Sequence, residues 1–431
     1  MAVLSISGLR GIIGKDLFNN DITEVLYDFI LSSNIKTCAI GRDTRTTSNM
    51  IHETVSSVLM ALGCHVEDLG ITSTPSVFRH VKKNDLDGGI CITSSHNPKD
   101  WNGLKLIIRP GRIINPTELT KQSIRKYKFT GTIKESSSSY DSDLIEFFNK
   151  DRFHKLKIAM DFGGGAGSTF VRDIFTKLGC EVYAINDFPG IFTRTINPTE
   201  DSLDSLSKLI TSNGCKIGFA FDADVDRLII MNEKGEKIAP DFSLLAGIKY
   251  VELKQKLSKA AISIDSSLSI VKYLEKINCE IITTPVGEGS VLNKILSEKC
   301  ELGGEGSSGG FIYPDFNLCR DGILLALMTS YLVEKFGSVD NIFSDIEKFN
   351  QSRIKIITDP SNFSMIQTHF LKNKNVASID GIKINQTKDS WVLIRPSNTE
   401  KCIRISAEAK SKNDVNKLIK KYEQTIKKIL N

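Results

Sequence analysis

The stretch Asp87-Gly-Gly-Ile-Cys-Ile-Thr-Ser-Ser-His-Asn-Pro98 joins a short apolar run to a polar loop. The apolar run is bounded by glycines, which predicts a buried strand that ends at the edge of a sheet. Ser95 and His96 follow in the loop, so that a hydroxyl and an imidazole are presented together. Pro98 has no backbone N–H and restricts Asn97, which stiffens the loop. For this stretch considered alone, a polar turn without chemistry is the alternative.

The residues upstream of this stretch alternate between strand-like and helix-like patterns. In order, the pattern predicts strand, helix, strand, helix and strand at residues 37–42, 48–62, 65–69, 76–83 and 89–93. Such alternation is typical of a mainly parallel sheet with helices packed on it. Two further stretches repeat it, and the last part of the chain has strand-like runs instead. We therefore predict three consecutive α/β domains with mainly parallel mixed sheets and a C-terminal α+β domain, at residues 1–151, 152–245, 246–350 and 351–431.

The composition predicts a globular chain that binds neither membranes nor nucleic acid. Of its 431 residues, 40% are hydrophobic and 25% charged, and no apolar run approaches the ~18 residues of a membrane span. The formal charge of +5 is small and no long basic block occurs, although a mildly positive cleft for an anionic small molecule is compatible with it. Without a secretory pattern at the start, we expect the cytoplasm. The nine cysteines lie far apart, without metal-ligand spacing, which predicts reduced and mostly buried thiols.

Three carboxylates, Asp222, Asp224 and Asp226, follow the apolar run at residues 216–221. Crowded like charge is unfavourable unless a cation neutralises it, which predicts a hard divalent ion with oxygen ligands. An EF-hand is one alternative, but Arg227 stands where that loop needs glycine. A haloacid-dehalogenase-like phosphatase with Asp222 as nucleophile is another, although the further acidic pair of that family has no clear counterpart here. Solvated loop aspartates are the third alternative.

A divalent ion beside a hydroxyl nucleophile points to phosphoryl transfer, because the metal offsets charge that develops on the phosphoryl oxygens. The turn Arg395-Pro-Ser397-Asn398-Thr399 offers a guanidinium fork, hydroxyls and backbone donors, with Arg404 nearby. These groups match the needs of a phosphate monoester. An ordinary polar turn is the alternative when this motif is judged alone.

Five motifs, in order along the chain, resemble those of the α-D-phosphohexomutase family. They are Ser7-Gly-Leu-Arg-Gly11, Thr93-Ser-Ser-His-Asn-Pro98 with Asn102-Gly-Leu-Lys105, Asp222-Ala-Asp-Val-Asp-Arg227, Gly303-Gly-Glu-Gly-Ser-Ser-Gly309 and Arg395-Pro-Ser-Asn-Thr-Glu400. The match spans nearly the whole chain and is similar to the archaeal-type branch. It implies that the four domains are arranged around a central cleft.

The resemblance implies a role for each residue of the first three motifs. Ser95 would carry the phosphate, and Asp222, Asp224 and Asp226, with the phosphate on Ser95, would bind Mg²⁺. Arg10 and Lys105 would assist proton transfer and stabilise charge beside the transferred phosphoryl group. His96 and Arg227 would support these two residues. These roles agree with the chemistry that the residue types allow.

The last two motifs are implied to recognise the substrate. Glu305 and one of Ser307 and Ser308 would contact sugar hydroxyls. The groups that would bind the phosphate that is not transferred are Arg395, Ser397, Asn398 and Thr399, with Arg404 beside them. Asn398 replaces the family's glycine, and asparagine is the best substitute where a positive φ is required.

The implied reaction interconverts hexose 6-phosphate and hexose 1-phosphate through a phosphoserine enzyme and a bisphosphorylated sugar. The cofactors would be one Mg²⁺ per subunit and a hexose 1,6-bisphosphate activator. The binding partner would be a small phosphosugar, and the enzyme would be a monomer or a homodimer. Likeness to the shorter members of the family favours glucosamine phosphates as substrates, with mannose and glucose phosphates as the alternative. A catalytically inactive sugar-phosphate sensor is a further alternative, against which the intact motifs argue.

Overall fold

A computed structural model describes residues 3–5, 8–121, 130–371, 376–397 and 401–430. Two compact units divide the chain: unit 1 consists of Met1–Lys256 with Ser308–Ser344, and unit 2 of Leu257–Ser307 with Asp345–Asn431. Each unit contains α/β structure, and unit 2 also contains an antiparallel sheet. The predicted fold class is confirmed, whereas the boundaries of the four predicted domains stay predictions.

Unit 1 begins with an eight-stranded mixed sheet. Its strands and the helices between them are β1 (Val3–Ser5), β2 (Gly8–Ile12), α1 (Asn19–Ser32), β3 (Thr37–Arg42), α2 (Ser48–Ala61), β4 (His65–Ile71), α3 (Thr74–Lys83), β5 (Gly88–Ile92), β6 (Trp101–Ile108), β7 (Arg112–Ile113), β8 (Ile133–Glu135) and α4 (Tyr140–Phe147). The strand order is β1-β2-β6-β5-β3-β4-β8, and β7 pairs with β6. The pairs β5·β3, β3·β4 and β4·β8 are parallel, which confirms the predicted strand–helix alternation around β5.

A four-stranded sheet follows in unit 1, in the order β10-β9-β11-β12. Its elements are β9 (Lys157–Asp161), α5 (Val171–Lys177), β10 (Glu181–Ile185), α6 (Asp204–Asn213), β11 (Ile217–Phe221), β12 (Leu228–Asn232) and α7 (Asp241–Lys254). Every residue of β11 is buried, as expected for a strand that is covered on both faces. Because β12 returns antiparallel to β11, the aspartates lie in the tight connection between the two strands.

The first part of unit 2 consists of parallel strands with helices. Its elements are β13 (Lys259–Ser263), α8 (Leu268–Lys276), β14 (Glu280–Thr284), α9 (Glu288–Glu298) and β15 (Leu302–Glu305). Both β14 and β15 pair in parallel with β13. The carboxyl ends of β13 and β15 therefore carry the residues that follow them to the same edge of the sheet.

The segment Ser308–Ser344, which completes unit 1, contains a helix whose residues are mostly buried. Its elements are β16 (Gly310–Ile312), α10 (Gly322–Phe336) and α11 (Val339–Ile342). Asp321 caps α10 by accepting a hydrogen bond from the Leu324 N–H at 3.0 Å. Although α10 is apolar, no helix in the described part of the chain has both the length and the apolar character that crossing a bilayer requires.

The last part of unit 2 is an antiparallel sheet in the order β17-β21-β20-β19-β18. Its elements are β17 (Asn350–Ile357), α12 (Phe363–Phe370), β18 (Val376–Ala377), β19 (Ile382–Thr387), β20 (Ser390–Pro396), β21 (Cys402–Ala409) and α13 (Lys412–Leu430). Apolar residues of α12 and α13 pack on those of the sheet, as in the contacts of Ile366 and Ile426 with the shared core. This is the predicted α+β arrangement.

Candidate active site

Ser95 lies at the end of the buried strand β5, in a strained and fully buried turn. Its φ of 50° is in the left-handed region, which non-glycine residues rarely adopt. The Ser95 N–H donates to Thr93 Oγ1 at 2.9 Å, and the Ser95 hydroxyl donates to Asp222 Oδ2 at 2.8 Å. The serine loop and the first aspartate of the metal-site motif are therefore in direct contact.

Arg45, which the sequence analysis did not identify, holds the serine loop in place. Its two terminal nitrogens donate at 2.5–2.9 Å to four carbonyl oxygens, those of Ser95, Asn97, Pro98 and Trp101. Asp43 accepts from Arg45 Nε at 3.0 Å, so that both charges are paired inside the protein. The sequence did contain a clue to this role, because Asp43 and Arg45 directly follow the predicted strand β3. The carboxyl end of β3 lies at the same sheet edge as that of β5.

The three aspartates are buried together in the connection from β11 to β12. One carboxylate oxygen of each lies within 4.8 Å of those of the other two. Val225 has a φ of 64°, which lets the chain turn so that alternate carboxylates converge. Lys105 Nζ donates to Asp224 Oδ2 at 2.7 Å and to Asp226 Oδ2 at 2.6 Å. The predicted base is thus tied to the predicted metal ligands.

Further cations surround this cluster. Arg320, which the sequence analysis also missed, donates from Nη2 to Asp226 Oδ2 at 2.6 Å. Arg227 Nε lies 3.9 Å from Asp222 Oδ2 and 3.8 Å from Asp226 Oδ1. Arg10 Nη1 donates to Asn97 Oδ1 at 2.8 Å, which places its guanidinium beside the serine loop. The structure therefore brings all the residues predicted from the first three motifs into one part of unit 1.

Burial and charge shift the pKa values of this cluster in opposite directions. Burial, reinforced by the neighbouring carboxylates, raises the pKa of Asp222 well above its usual range. Burial acts in the same way on Asp226, but Arg320 and Lys105 outweigh it and hold the pKa of Asp226 well below that range. Burial and then the surrounding arginines lower the pKa of His96 well below its usual value, so its ring is neutral.

The aspartates fit a hard divalent cation. Asp224 Oδ1 and Asp226 Oδ1 are buried, and no described residue forms a hydrogen bond with either oxygen. Buried acceptors without donors are costly, and a cation would satisfy them while it removes the mutual repulsion of the carboxylates. Three carboxylate oxygens at this spacing are the donor set that Mg²⁺ accepts.

The serine loop borders a cavity of about 930 Å³ within unit 1. The wall of this cavity includes His96 and Pro98 of the serine loop and residues 192–197 and 200–205. Arg194 is fixed in this wall by its ion pair with Asp161, in which Nε and Oδ1 lie 2.9 Å apart. Small-molecule sites typically occupy about 300–1,000 Å³, so this space is large enough for a phosphosugar.

The glycine-rich loop of unit 2 holds Glu305 and Ser307 at the end of β15. Glu305 is buried, and its Oε1 accepts a hydrogen bond from the Gly287 N–H at 2.8 Å. The Ser307 hydroxyl donates to Asp265 Oδ2 at 2.6 Å. Ser308 is the first residue of the segment that belongs to unit 1.

The predicted phosphate-binding residues lie on the antiparallel sheet of unit 2. Arg395 on β20 stands directly opposite Arg404 on β21, and Lys355 on β17 stands opposite Arg404 on the other side. These three basic side chains are in register on one face, and a carboxylate already lies beside one of them, since Asp380 Oδ2 is 3.5 Å from Arg395 Nη1. An anion bound on this face would reduce the repulsion between neighbouring like charges further. Ser397 follows at the end of β20, and the predicted partners Asn398 and Thr399 lie outside the described residues.

Comparison with known protein families finds four successive matches along the chain. Models of the phosphoglucomutase/phosphomannomutase family match in order: alpha/beta/alpha domain I at residues 3–132, domain II at 138–235, domain III at 239–349 and the C-terminal domain at 362–423. A "probable phosphoglucosamine mutase" of Methanosphaera stadtmanae is 32% identical over 98% of both chains.

Solved structures share the fold. A phosphoglucomutase/phosphomannomutase family protein of Burkholderia thailandensis superposes with a TM-score of 0.85 at 20% identity, over 99% of this chain and 97% of that one. The N-acetylphosphoglucosamine mutase of Aspergillus fumigatus was solved in complex with GlcNAc-6P and magnesium. It superposes with a TM-score of 0.63 at 12% identity, over 99% of this chain and 96% of that one. With matches along nearly its whole length, the chain belongs to the phosphoglucomutase/phosphomannomutase family, the α-D-phosphohexomutases, and is an isomerase of phosphohexoses.

Proposed function

We propose that this phosphohexomutase interconverts glucosamine 6-phosphate and glucosamine 1-phosphate with Ser95 as the phosphate carrier. The observation that carries the proposal is the 2.8 Å hydrogen bond from the Ser95 hydroxyl to Asp222, within a cluster of three buried carboxylates. The amino sugar is supported by the name of the Methanosphaera stadtmanae relative. Mannose and glucose phosphates, after which the family models are named, are the comparison substrates.

The proposed reaction has two halves that mirror each other. With Ser95 phosphorylated, a sugar hydroxyl oxygen forms a bond to phosphorus, the bond from phosphorus to Ser95 Oγ breaks, and the hydroxyl proton moves to a basic group. The sugar bisphosphate then presents its other phosphate, the bond to Ser95 Oγ forms again, and the departing sugar oxygen takes up a proton. Protons and phosphate groups balance over the cycle, and Ser95 ends phosphorylated.

The side chains around Ser95 have roles that follow from their charges. Mg²⁺ held by Asp222, Asp224 and Asp226 would neutralise charge on the phosphoryl oxygens. Arg10 and Lys105 add fixed positive charge beside the serine loop, where a buried cation acts strongly on developing negative charge. A hexose 1,6-bisphosphate would prime Ser95 in a molecule that has lost its phosphate.

Substrate recognition is assigned to unit 2. Glu305 and Ser307 would contact sugar hydroxyls, because both present side-chain oxygens on one loop. Arg395 and Arg404, which face the same side of the antiparallel sheet, would hold the phosphate that is not being transferred. The hydroxyl of Ser397 and the following Asn398 and Thr399 would complete that phosphate site.

The surroundings in which the enzyme works are part of the proposal. All nine cysteines are free and buried, as predicted, which suits a reducing compartment such as the cytoplasm. We infer that its partner is a small phosphosugar and that it acts as a monomer or a homodimer.

The test compares the 1-phosphates of glucosamine, glucose, mannose and N-acetylglucosamine side by side, with Mg²⁺ and glucose 1,6-bisphosphate present. We expect the highest kcat/KM with the glucosamine derivative, and a higher value with another sugar would move the assignment to that sugar. Mass spectrometry of the phosphorylated enzyme should find hydroxylamine-resistant phosphate on Ser95. A hydroxylamine-labile phosphate on Asp222 would instead support a phosphatase of the haloacid dehalogenase type.

A further inference from the structure

Asp265, which no motif of the sequence analysis included, lies against the glycine-rich loop of unit 2. It follows β13, and the side chain is buried with 6% of the residue's surface exposed. Its Oδ2 accepts the hydrogen bond from the Ser307 hydroxyl at 2.6 Å, and its Oδ1 accepts one from the Ser263 hydroxyl at 2.7 Å. A second link ties the two segments, because the Gly306 N–H donates to Ser266 Oγ at 3.3 Å. The carboxylate is therefore a fixed part of the wall behind the loop.

The Asp265 carboxylate is ionised and still has capacity to bind a cation. Although burial acts to raise its pKa, Arg353 and the two serine hydroxyls hold the pKa below its usual value. A carboxylate offers about four acceptor positions, of which the two hydroxyls use two. Within the described residues, no lysine or arginine forms an ion pair with Asp265. Arg353 and Arg395 lower its pKa only through longer-range electrostatic attraction.

The pair formed by Ser307 and Asp265 has the spacing of two neighbouring groups on a sugar. Vicinal substituents of a pyranose ring lie about as far apart as the two atoms of a hydrogen bond. The Ser307 hydroxyl uses its proton on Asp265, so its lone pairs remain to accept from a substrate hydroxyl. The adjacent carboxylate can only accept, and a positively charged donor is its best partner.

We propose that Asp265 selects amino sugars by binding the ammonium group at C2 of the hexosamine phosphate, while Ser307 and Glu305 bind hydroxyls of the same ring. This inference rests on the proposed function. A neutral hydroxyl at C2, as in glucose phosphate, can also donate to the carboxylate but gains less, because a hydrogen bond between two charged groups is about twice as strong as a neutral one. An acetylated nitrogen carries no charge and adds bulk.

The test measures kcat/KM for glucosamine 1-phosphate and glucose 1-phosphate in the wild-type enzyme and in Asp265→Asn. We expect the ratio of the two values to fall about 10- to 100-fold in the variant, the range of a charge-assisted hydrogen bond. Glu347→Gln is the matched control, since it removes an exposed carboxylate of unit 2 that pairs with Lys272 and Lys410. Its ratio should stay as in the wild type.

A second measurement needs no variant. The ammonium of glucosamine loses its proton near the pKa of an amino group, about 8, so the wild-type preference over glucose 1-phosphate should fall as the pH rises from 7 to 9. The role of Asp265 would be overturned if kcat/KM in Asp265→Asn fell equally for both sugars or did not fall for either. It would also be overturned if the wild-type preference for glucosamine 1-phosphate did not change with pH. Absence of wild-type turnover with glucosamine 1-phosphate would overturn the proposed function itself.

Discussion

The proposed reaction centre of unit 1 and the proposed recognition residues of unit 2 differ in how their charges are paired. In unit 1 the buried aspartates are matched by buried cations, as in the contacts of Asp226 with Lys105 and Arg320. In unit 2 Arg395 and Arg404 stand opposite each other on adjacent strands, and the Asp380 carboxylate lies 3.5 Å from Arg395, a longer contact than those around Asp226. A balanced cluster keeps its geometry without a ligand, whereas a row of like charges is stabilised when an anion arrives. We therefore expect the proposed catalytic cluster to be formed before substrate binds, and the proposed phosphate site to be stabilised by the substrate itself.

The largest expected effect tests the centre of unit 1. Ser95→Ala removes the proposed phosphate carrier, so turnover should fall by about 10³-fold or more, even with glucose 1,6-bisphosphate. Ser94→Ala is the matched control, because its hydroxyl lies 3.2 Å from Asn97 Oδ1 and does not contact the aspartates. Undiminished turnover in Ser95→Ala, or loss in Ser94→Ala alone, would remove Ser95 from the mechanism.

The next effect tests the balance of charges. Asp226→Asn takes away a proposed metal ligand and leaves Arg320 facing an uncharged group, while Lys105 keeps only Asp224 as a charged partner, so kcat should fall about 10²- to 10³-fold. The Mg²⁺ concentration for half-maximal activity should rise in parallel. Asp340→Asn, which removes an exposed partner of Lys234 in the same unit, should change neither quantity. A variant with normal Mg²⁺ dependence would show that Asp226 is no ligand.

A smaller effect is expected from unit 2. Arg395→Ala should raise KM for the hexose phosphate about 10- to 100-fold and change kcat less, because the lost contact is proposed to hold a phosphate that does not react. Arg395→Lys keeps the charge without the planar guanidinium fork, so its KM should lie between those of the wild type and Arg395→Ala. If kcat falls while KM stays unchanged, the contrast between the two units disappears.

The smallest effect concerns stability away from both sites. Burial raises the pKa of Asp321 to about 6, although its hydrogen bonds with Tyr140 and Leu324 act to lower it. The folded state therefore holds this proton more tightly than the unfolded state, and the associated stability is lost as the pH rises from about 4 to about 6. Asp321→Asn cannot ionise, so its free energy of unfolding relative to wild type should improve by up to about 3 kcal/mol between pH 4 and pH 7.

Urea unfolding of both proteins at several pH values would measure this difference. Asp340→Asn again serves as the control, with no trend expected, because that carboxylate is exposed. A constant difference between Asp321→Asn and wild type across the range would mean that Asp321 is ionised throughout.

The strands that carry the motifs were predictable because apolar runs and breakers are local features. The apolar runs before Ser95 and Asp222 became β5 and β11, with their polar residues at the strand ends. The strand β6 was not predicted, since Asn102 and Lys105 interrupt its apolar pattern. Both residues are buried through polar contacts: Asn102 donates to Ser48 Oγ, and Lys105 pairs with the aspartates.

The residues that were missed act on partners far away in the sequence. Arg45 binds the loop at Asn97, Arg320 pairs with Asp226, and Asp265 receives the hydroxyl of Ser307. No local pattern distinguishes such an arginine or aspartate from an exposed one, because its role depends on tertiary packing. The sequence motifs thus identified the groups proposed to react, and the structure added those that hold them in position.

The way in which Arg45 holds the serine loop has a consequence for evolution. Its terminal nitrogens bind main-chain carbonyl oxygens, which every amino acid supplies. Substitution of a side chain such as that of Trp101 would therefore leave these four bonds available. Side chains of the serine loop could change over generations in this way while the main-chain geometry around Ser95 is inherited unchanged.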